Sequence, residues 1–131
     1  MIYQFDIPIY NTNALMLVEP TKEEFDELLS DEFNRNRFTD AELQNLFEEM
    51  DSSYVGFTNR LVKGGYIVLI KEKNKPIYYT HELFHLTHDI LSDRGVTLDN
   101  DGEAYAYLLA WIIEQYYNVV LKNEKESTTT E

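Results

Sequence analysis

The sequence predicts an α+β fold: a small mixed or antiparallel sheet packed on one helix and on the long helix that follows it. Three observations carry this. Residues 2–9 alternate, with Tyr3, Phe5, Ile7 and Ile9 on one face and Gln4 and Asp6 on the other, which is the period of a half-buried strand. Residues 66–71, apolar from Tyr66 to Ile70, follow the Gly64-Gly65 turn and read as a strong strand. From residue 78 onward the apolar positions recur at helical spacing in two segments broken near Gly95.

The elements follow in order. After the strand over 2–9, residues 11–13 read as a turn and 14–18 as a second strand, ended by Pro20-Thr21. Thr21 with Glu24 forms a capping box ahead of a helix over 22–30, and Thr39 with Glu42 repeats it ahead of a helix over 40–50. Residues 51–53 break the chain, 54–58 read as a strand, and 74–76 close the strand over 66–71. A helix over 78–92 ends before Gly95, a loop covers 96–102, and a long apolar helix runs over 101–121. Residues 123–131 are polar and read as a disordered tail, leaving a single domain over 1–122 without repeats or linkers.

The net charge of -13 is unevenly spread. Between Glu19 and Asp51 there are 12 acidic and 3 basic residues, whereas Arg60 to Lys75 holds 5 basic residues and one acidic. Nucleic acid and anionic membranes attract basic surfaces, so neither is an expected partner. The chain has no cysteine, which excludes disulfides and thiolate ligands. It shows no signal-peptide pattern and no apolar stretch of membrane length, so the expectation is a cytoplasmic protein.

The chemistry concentrates in His81-Glu82-Leu83-Phe84-His85. On a helix, residues four apart share a face, so both imidazoles project together and can hold one zinc ion, with Glu82 beside them as general base. A catalytic zinc takes three protein ligands and keeps one position for water. The third ligand has to come from outside this helix. Glu103, in the first turn of the following helix, is the leading candidate, with Asp99 and Asp101 as alternatives that also suit a helix cap. His88 shares the histidine face, but three ligands along one straight helix give poor tetrahedral geometry, since His81 and His88 lie about 10 Å apart along the axis. Asp89 is placed to orient a ligand histidine or simply to face solvent. Tyr107, four residues after Glu103, shares its face and suits donation to an oxyanion; Tyr78, Tyr79 and Tyr105 carry the same choice between chemistry and packing.

Residues 81–111, HELFHLTHDILSDRGVTLDNDGEAYAYLLAW, resemble the zincin metallopeptidases of the gluzincin branch, the minigluzincins in particular, and are similar to short HExxH proteins of bacterial phages and prophages. The resemblance covers about a quarter of the chain. It implies a zincin-like fold, His81, His85 and Glu103 as Zn2+ ligands, Glu82 as general base, and a peptide or protein substrate in the cytoplasm of a bacterial or phage-infected cell. Gly102 stands where the thermolysin-like pattern has asparagine, and the spacing to Glu103 is short for the group. The strand over 66–71 resembles the edge strand above the zincin cleft, which implies that 65–71 could bind an extended peptide by strand addition; a plain sheet strand is the alternative. The second functional reading is a binding or accessory protein on the same scaffold with little or no catalysis.

Overall fold

A computed structural model of the chain describes residues 1–122 and has an α+β architecture with a four-stranded mixed sheet and five helices among those residues. The expected tail over 123–131 lies outside the described residues. Contacts gather the chain into two compact units, Met1–Glu72 and the segment from Lys73 onward. None of the described helices is long and apolar enough to cross a membrane.

The first unit holds the sheet. Strand β1 (Ile2–Ile7) pairs antiparallel with β2 (Thr12–Val18), β2 pairs parallel with β4 (Tyr66–Ile70), and β3 (Gly56–Arg60) pairs antiparallel with β4, giving the order β1-β2-β4-β3. β1 stops two residues short of the expected end. Pro8 has no N–H for the ladder, and it opens a 3-10 turn over Pro8–Tyr10 that closes on left-handed Asn11. The tight turn lets β2 begin at Thr12, ahead of the expected position.

The parallel β2/β4 pair needs a crossover. It is supplied by α1 (Lys22–Ser30), α2 (Glu32–Arg35), α3 (Asp40–Asp51) and β3. Both expected capping boxes form with both reciprocal bonds, Thr21 with Glu24 and Thr39 with Glu42. The short helix α2, one turn capped by Asp31, is absent from the sequence reading because four residues carry no periodicity. β3 runs two residues later than expected. Leu15, Leu17, Ile67 and Leu69 from one face of the sheet meet Phe25, Phe38, Leu46 and Leu61 in one core. β4 is therefore an interior strand with neighbours on both edges, not the edge strand expected from the zincin resemblance. Its backbone groups are taken by β2 and β3, so strand addition at 65–71 is overturned.

The second unit holds two longer helices. α4 (Pro76–Ser92) starts on Pro76, whose missing N–H costs nothing in the first turn. It ends with Gly95 N–H on the Ser92 carbonyl and Val96 N–H on the Leu91 carbonyl, around Gly95 at φ 76. α5 (Gly102–Tyr116) is capped by Asp101, which accepts from Ala104 N–H, and passes into a π-helical turn over Tyr117–Leu121. The Tyr116 hydroxyl donates to the Lys73 carbonyl at 2.9 Å, and its ring packs on Tyr79 at 4.8 Å between centroids.

Two features generate tests of this fold. Tyr3 on β1 has a buried hydroxyl without a hydrogen-bond partner among the described residues, and burial raises its pKa above the usual phenol value. A raised folded-state pKa contributes stability that is complete below about pH 10 and is lost as the pH rises beyond it. Tyr3→Phe removes an unpaired buried group, so it should stabilise by up to about 1 kcal/mol at neutral pH and flatten the alkaline loss of stability, read by urea melts at pH 7 and pH 11. The second feature is Gly65, at φ 80, where an added Cβ would stand 2.9 Å from Asn13 Oδ1; Gly64, at φ 115, has nothing within 4 Å. Both alanine variants incur the backbone strain of about 1–3 kcal/mol, and Gly65→Ala should lose measurably more stability than Gly64→Ala in the same melts.

Candidate metal and catalytic site

Helical geometry sorts α4 into two faces. Leu83, Leu86, Thr87, Ile90 and Leu91 are buried, whereas His81, Phe84, His85 and His88 are exposed. The exposed residues stand at i, i+3, i+4 and i+7, one face of a 3.6-residue period. Thr87 satisfies its buried hydroxyl by donating to the Leu83 carbonyl at 2.8 Å.

The two motif histidines meet on that exposed face. His81 Nε2 and His85 Nε2 are 3.1 Å apart and the rings cross edge to face with centroids 4.6 Å apart. This contact requires a proton on one Nε2 and a bare lone pair on the other. The separation also tests the donor set against a metal. Two imidazole nitrogens, each about 2.0–2.1 Å from a tetrahedral zinc, stand about 3.3 Å apart. The pair already lies within a few tenths of an ångström of that spacing, and it is open to solvent, so it fits two ligands of such a site.

Glu82 is placed differently. One residue along the helix turns it about 100° from His81, and it is only 5% exposed, on the buried side of α4. A buried carboxylate needs compensation, and Glu82 is engaged in a polar or electrostatic interaction.

The α5 residues divide by the same period. Tyr105, Leu108, Ile112 and Tyr116 form the buried stripe, whereas Glu103 and Tyr107 are exposed, Tyr107 at 72%. The described residues contain no group of three His, Asp or Glu side chains gathered so as to hold a metal ion. The structure thus brings His81 and His85 together and leaves Glu103 and Tyr107 outside any such group. Asp101 is a helix cap, and Asp99 is exposed in the loop.

One pairing was missed by sequence reasoning. The Tyr105 hydroxyl lies 3.0 Å from His88 Nδ1, and the Tyr105 ring packs 6.5 Å from Phe84 between centroids. His88 is therefore tied to α5 by a hydrogen bond. The signal was present in the spacing: Tyr105 is three before Leu108 and seven before Ile112, so it belongs to the inward stripe, and Tyr107 does not.

No protein-family model matches the chain, and comparison with curated proteins and with solved structures finds no significant similarity.

The His88–Tyr105 bond links α4 to α5 next to the histidine pair. Tyr105→Phe and His88→Ala should each cost about 1 kcal/mol, and the double variant should cost less than their sum by roughly 0.5–1.5 kcal/mol. Chemical denaturation of the four proteins in a double-mutant cycle checks this, and additive losses would show the contact to be idle.

Proposed function

We propose that the protein is a zinc-dependent peptidase of the gluzincin type, with His81, His85 and Glu103 as the metal ligands. One observation carries the reading: the two imidazole nitrogens of an H-E-x-x-H helix converge to 3.1 Å on a solvent-open face.

Zinc bound there would act as a Lewis acid and lower the pKa of a water at its open position. The remaining work belongs to the chain. His81 and His85 present neutral ring nitrogens. Glu103 adds a carboxylate from the capped first turn of α5, where the exposed side chain is free to change rotamer. Glu82 takes the proton from the attacking water on a carboxylate oxygen and returns it to the leaving amine. Tyr107 supplies a phenol to the developing oxyanion of the substrate carbonyl. The substrate is a peptide or protein, met in the cytoplasm of a bacterial or phage-infected cell.

A second reading has a specific observation in its favour. Glu82 is buried and engaged while the histidines face solvent, and no third acidic or histidine side chain is gathered with them among the described residues. That arrangement suits a metal-binding accessory protein that does not hydrolyse its partner.

Protein purified without chelator should carry about one zinc per chain by elemental analysis, and His81→Ala should lose it. A peptide-library digest by the zinc-loaded protein should show cleavage that Glu82→Gln lowers by about 100-fold or more while zinc content is kept. Zinc retained with no cleavage selects the accessory reading. Zinc content unchanged in His81→Ala removes both.

A further inference from the structure

The first unit contains a polar cleft of about 500 Å³, formed where the β1–β2 turn, the segment after α2 and the β3–β4 turn converge. That volume is in the range of small-molecule sites, about 300–1,000 Å³. Its charge is opposite to that of the chain. The protein has 24 acidic residues and 11 basic ones, yet among the described residues the cleft is lined by Arg37 and Lys63 and by no carboxylate.

Arg37 is the informative residue. Its guanidinium is partly buried, and burial lowers its pKa because the charged form loses water. A desolvated cation is ordinarily offset by a carboxylate. Arg37 has none among the described residues. It donates from Nη2 to Asn13 Oδ1 at 2.8 Å and from Nη1 to Gln4 Oε1 at 3.2 Å, both neutral amides. Those amides are themselves held. Gln4 Nε2 donates to Asp6 Oδ1 at 2.9 Å, and Asn13 is backed by Gly65, where any Cβ would collide with it. A guanidinium has five N–H groups, so the two amide contacts leave three for something else. It is thus fixed in place with a charge unmet and donors to spare.

The other walls say what would meet it. Lys63, exposed in the β3–β4 turn, makes no ion pair among the described residues and adds a second positive charge. Two cations with a surplus of donors suit a dianion better than a single carboxylate, which one arginine satisfies alone. Asn11 and Asn36 contribute exposed amides able both to donate and to accept. Phe33 presents a ring that is 72% exposed at the cleft margin. An apolar ring left in water beside an amide-rich wall suits stacking of a planar base.

We propose that this cleft binds a small organic phosphate of the mononucleotide class, with Arg37 and Lys63 on the phosphate, Asn11 and Asn36 on the polar edges of the base or sugar, and Phe33 stacked on the base. The inference is independent of the zinc reading and stands or falls without it. The net charge of -13 disfavours a polyanion, so a single nucleotide rather than a nucleic-acid strand is the ligand.

Full-length ¹⁵N-labelled protein titrated at constant ionic strength with AMP, adenosine, inorganic phosphate and a thymidine oligonucleotide tests the proposal. AMP should produce saturable shifts in the side-chain amides of Asn11, Asn13 and Asn36 and in the backbone of Lys63, Gly64 and Gly65. Adenosine and inorganic phosphate should each bind at least about tenfold more weakly, since each keeps only half of the contacts. Arg37→Gln should weaken AMP by about tenfold or more and Lys63→Gln by several-fold. Lys63 lies in an exposed turn, so its variant keeps the test open if Arg37→Gln fails to fold. The proposal is overturned if AMP gives no saturable shift at about 10 mM, or if Lys63→Gln leaves its affinity unchanged. Phosphate binding as tightly as AMP overturns the base assignment, and tighter binding of the oligonucleotide overturns the mononucleotide one.

Discussion

Strand β4 has hydrogen-bonding neighbours on both edges and buried side chains along its whole length, and the first unit is arranged to satisfy that constraint. Five consecutive apolar residues with no polar face suit a strand covered on both faces of its sheet; which strands take its two edges is settled by where the rest of the chain arrives. Parallel pairing with β2 fills one edge and antiparallel pairing with β3 fills the other. The first pairing forces the chain to cross over, and α1 to α3 with β3 are that crossover, which places Phe25, Phe38 and Leu46 against Leu15, Leu17, Ile67 and Leu69. The Gly64-Gly65 turn is the second consequence. A tight hairpin with positive φ at both glycines delivers the chain from β3 to β4, and the small side of Gly65 is what allows Asn13 to approach and hold Arg37. A packing requirement in the core thus fixes the walls of a polar cleft at the surface.

In the second unit the governing constraint is the helical period. One repeat of 3.6 residues puts His81 and His85 together, and the same repeat turns Glu82 away from them. A motif that needs two ligands and a base close to one water therefore cannot be read from spacing alone. A base at Glu82, as proposed, would have to reach such a water by its side-chain length from a buried position. In α5 the period again decides, since placing Tyr105 inward in line with Leu108 and Ile112 commits Glu103 and Tyr107 to the outside.

What the sequence made legible was local. Both capping boxes, the Gly95 stop of α4, the Asp101 cap and the meeting of His81 with His85 depend on residues within one or two turns of each other, whereas α4 starts at Pro76, two residues before the expected position. What it hid was pairing over distance. Nothing in residues 66–70 distinguishes an interior strand from an edge strand seen in a resembling family, because that depends on where β2 and β3 arrive. The Pro8 break and the four-residue α2 were hidden for a different reason, being shorter than any period that could announce them. The Arg37 cleft escaped because its parts are spread over Gln4, Asn13, Arg37, Lys63 and Gly65, and only the fold makes them neighbours.

The two candidate sites differ in how complete their geometry is, and the difference bears on their chemistry. At the histidine pair the rings are exposed and mutually bonded, so a metal ion taken up there, as proposed, would exchange one weak N–H···N contact for two coordinate bonds. The proposed third ligand, Glu103, is an exposed side chain in the first turn of α5 and is not gathered with the histidines among the described residues. At the cleft the guanidinium is already partly buried and oriented by two amides, so much of the cost of ordering has been met by the fold before any ligand arrives. A site of the first kind is expected to be assembled by its ligand, with binding that depends on the free metal concentration. A site of the second kind is preorganised, and its unmet charge destabilises the unliganded protein until an anion offsets it.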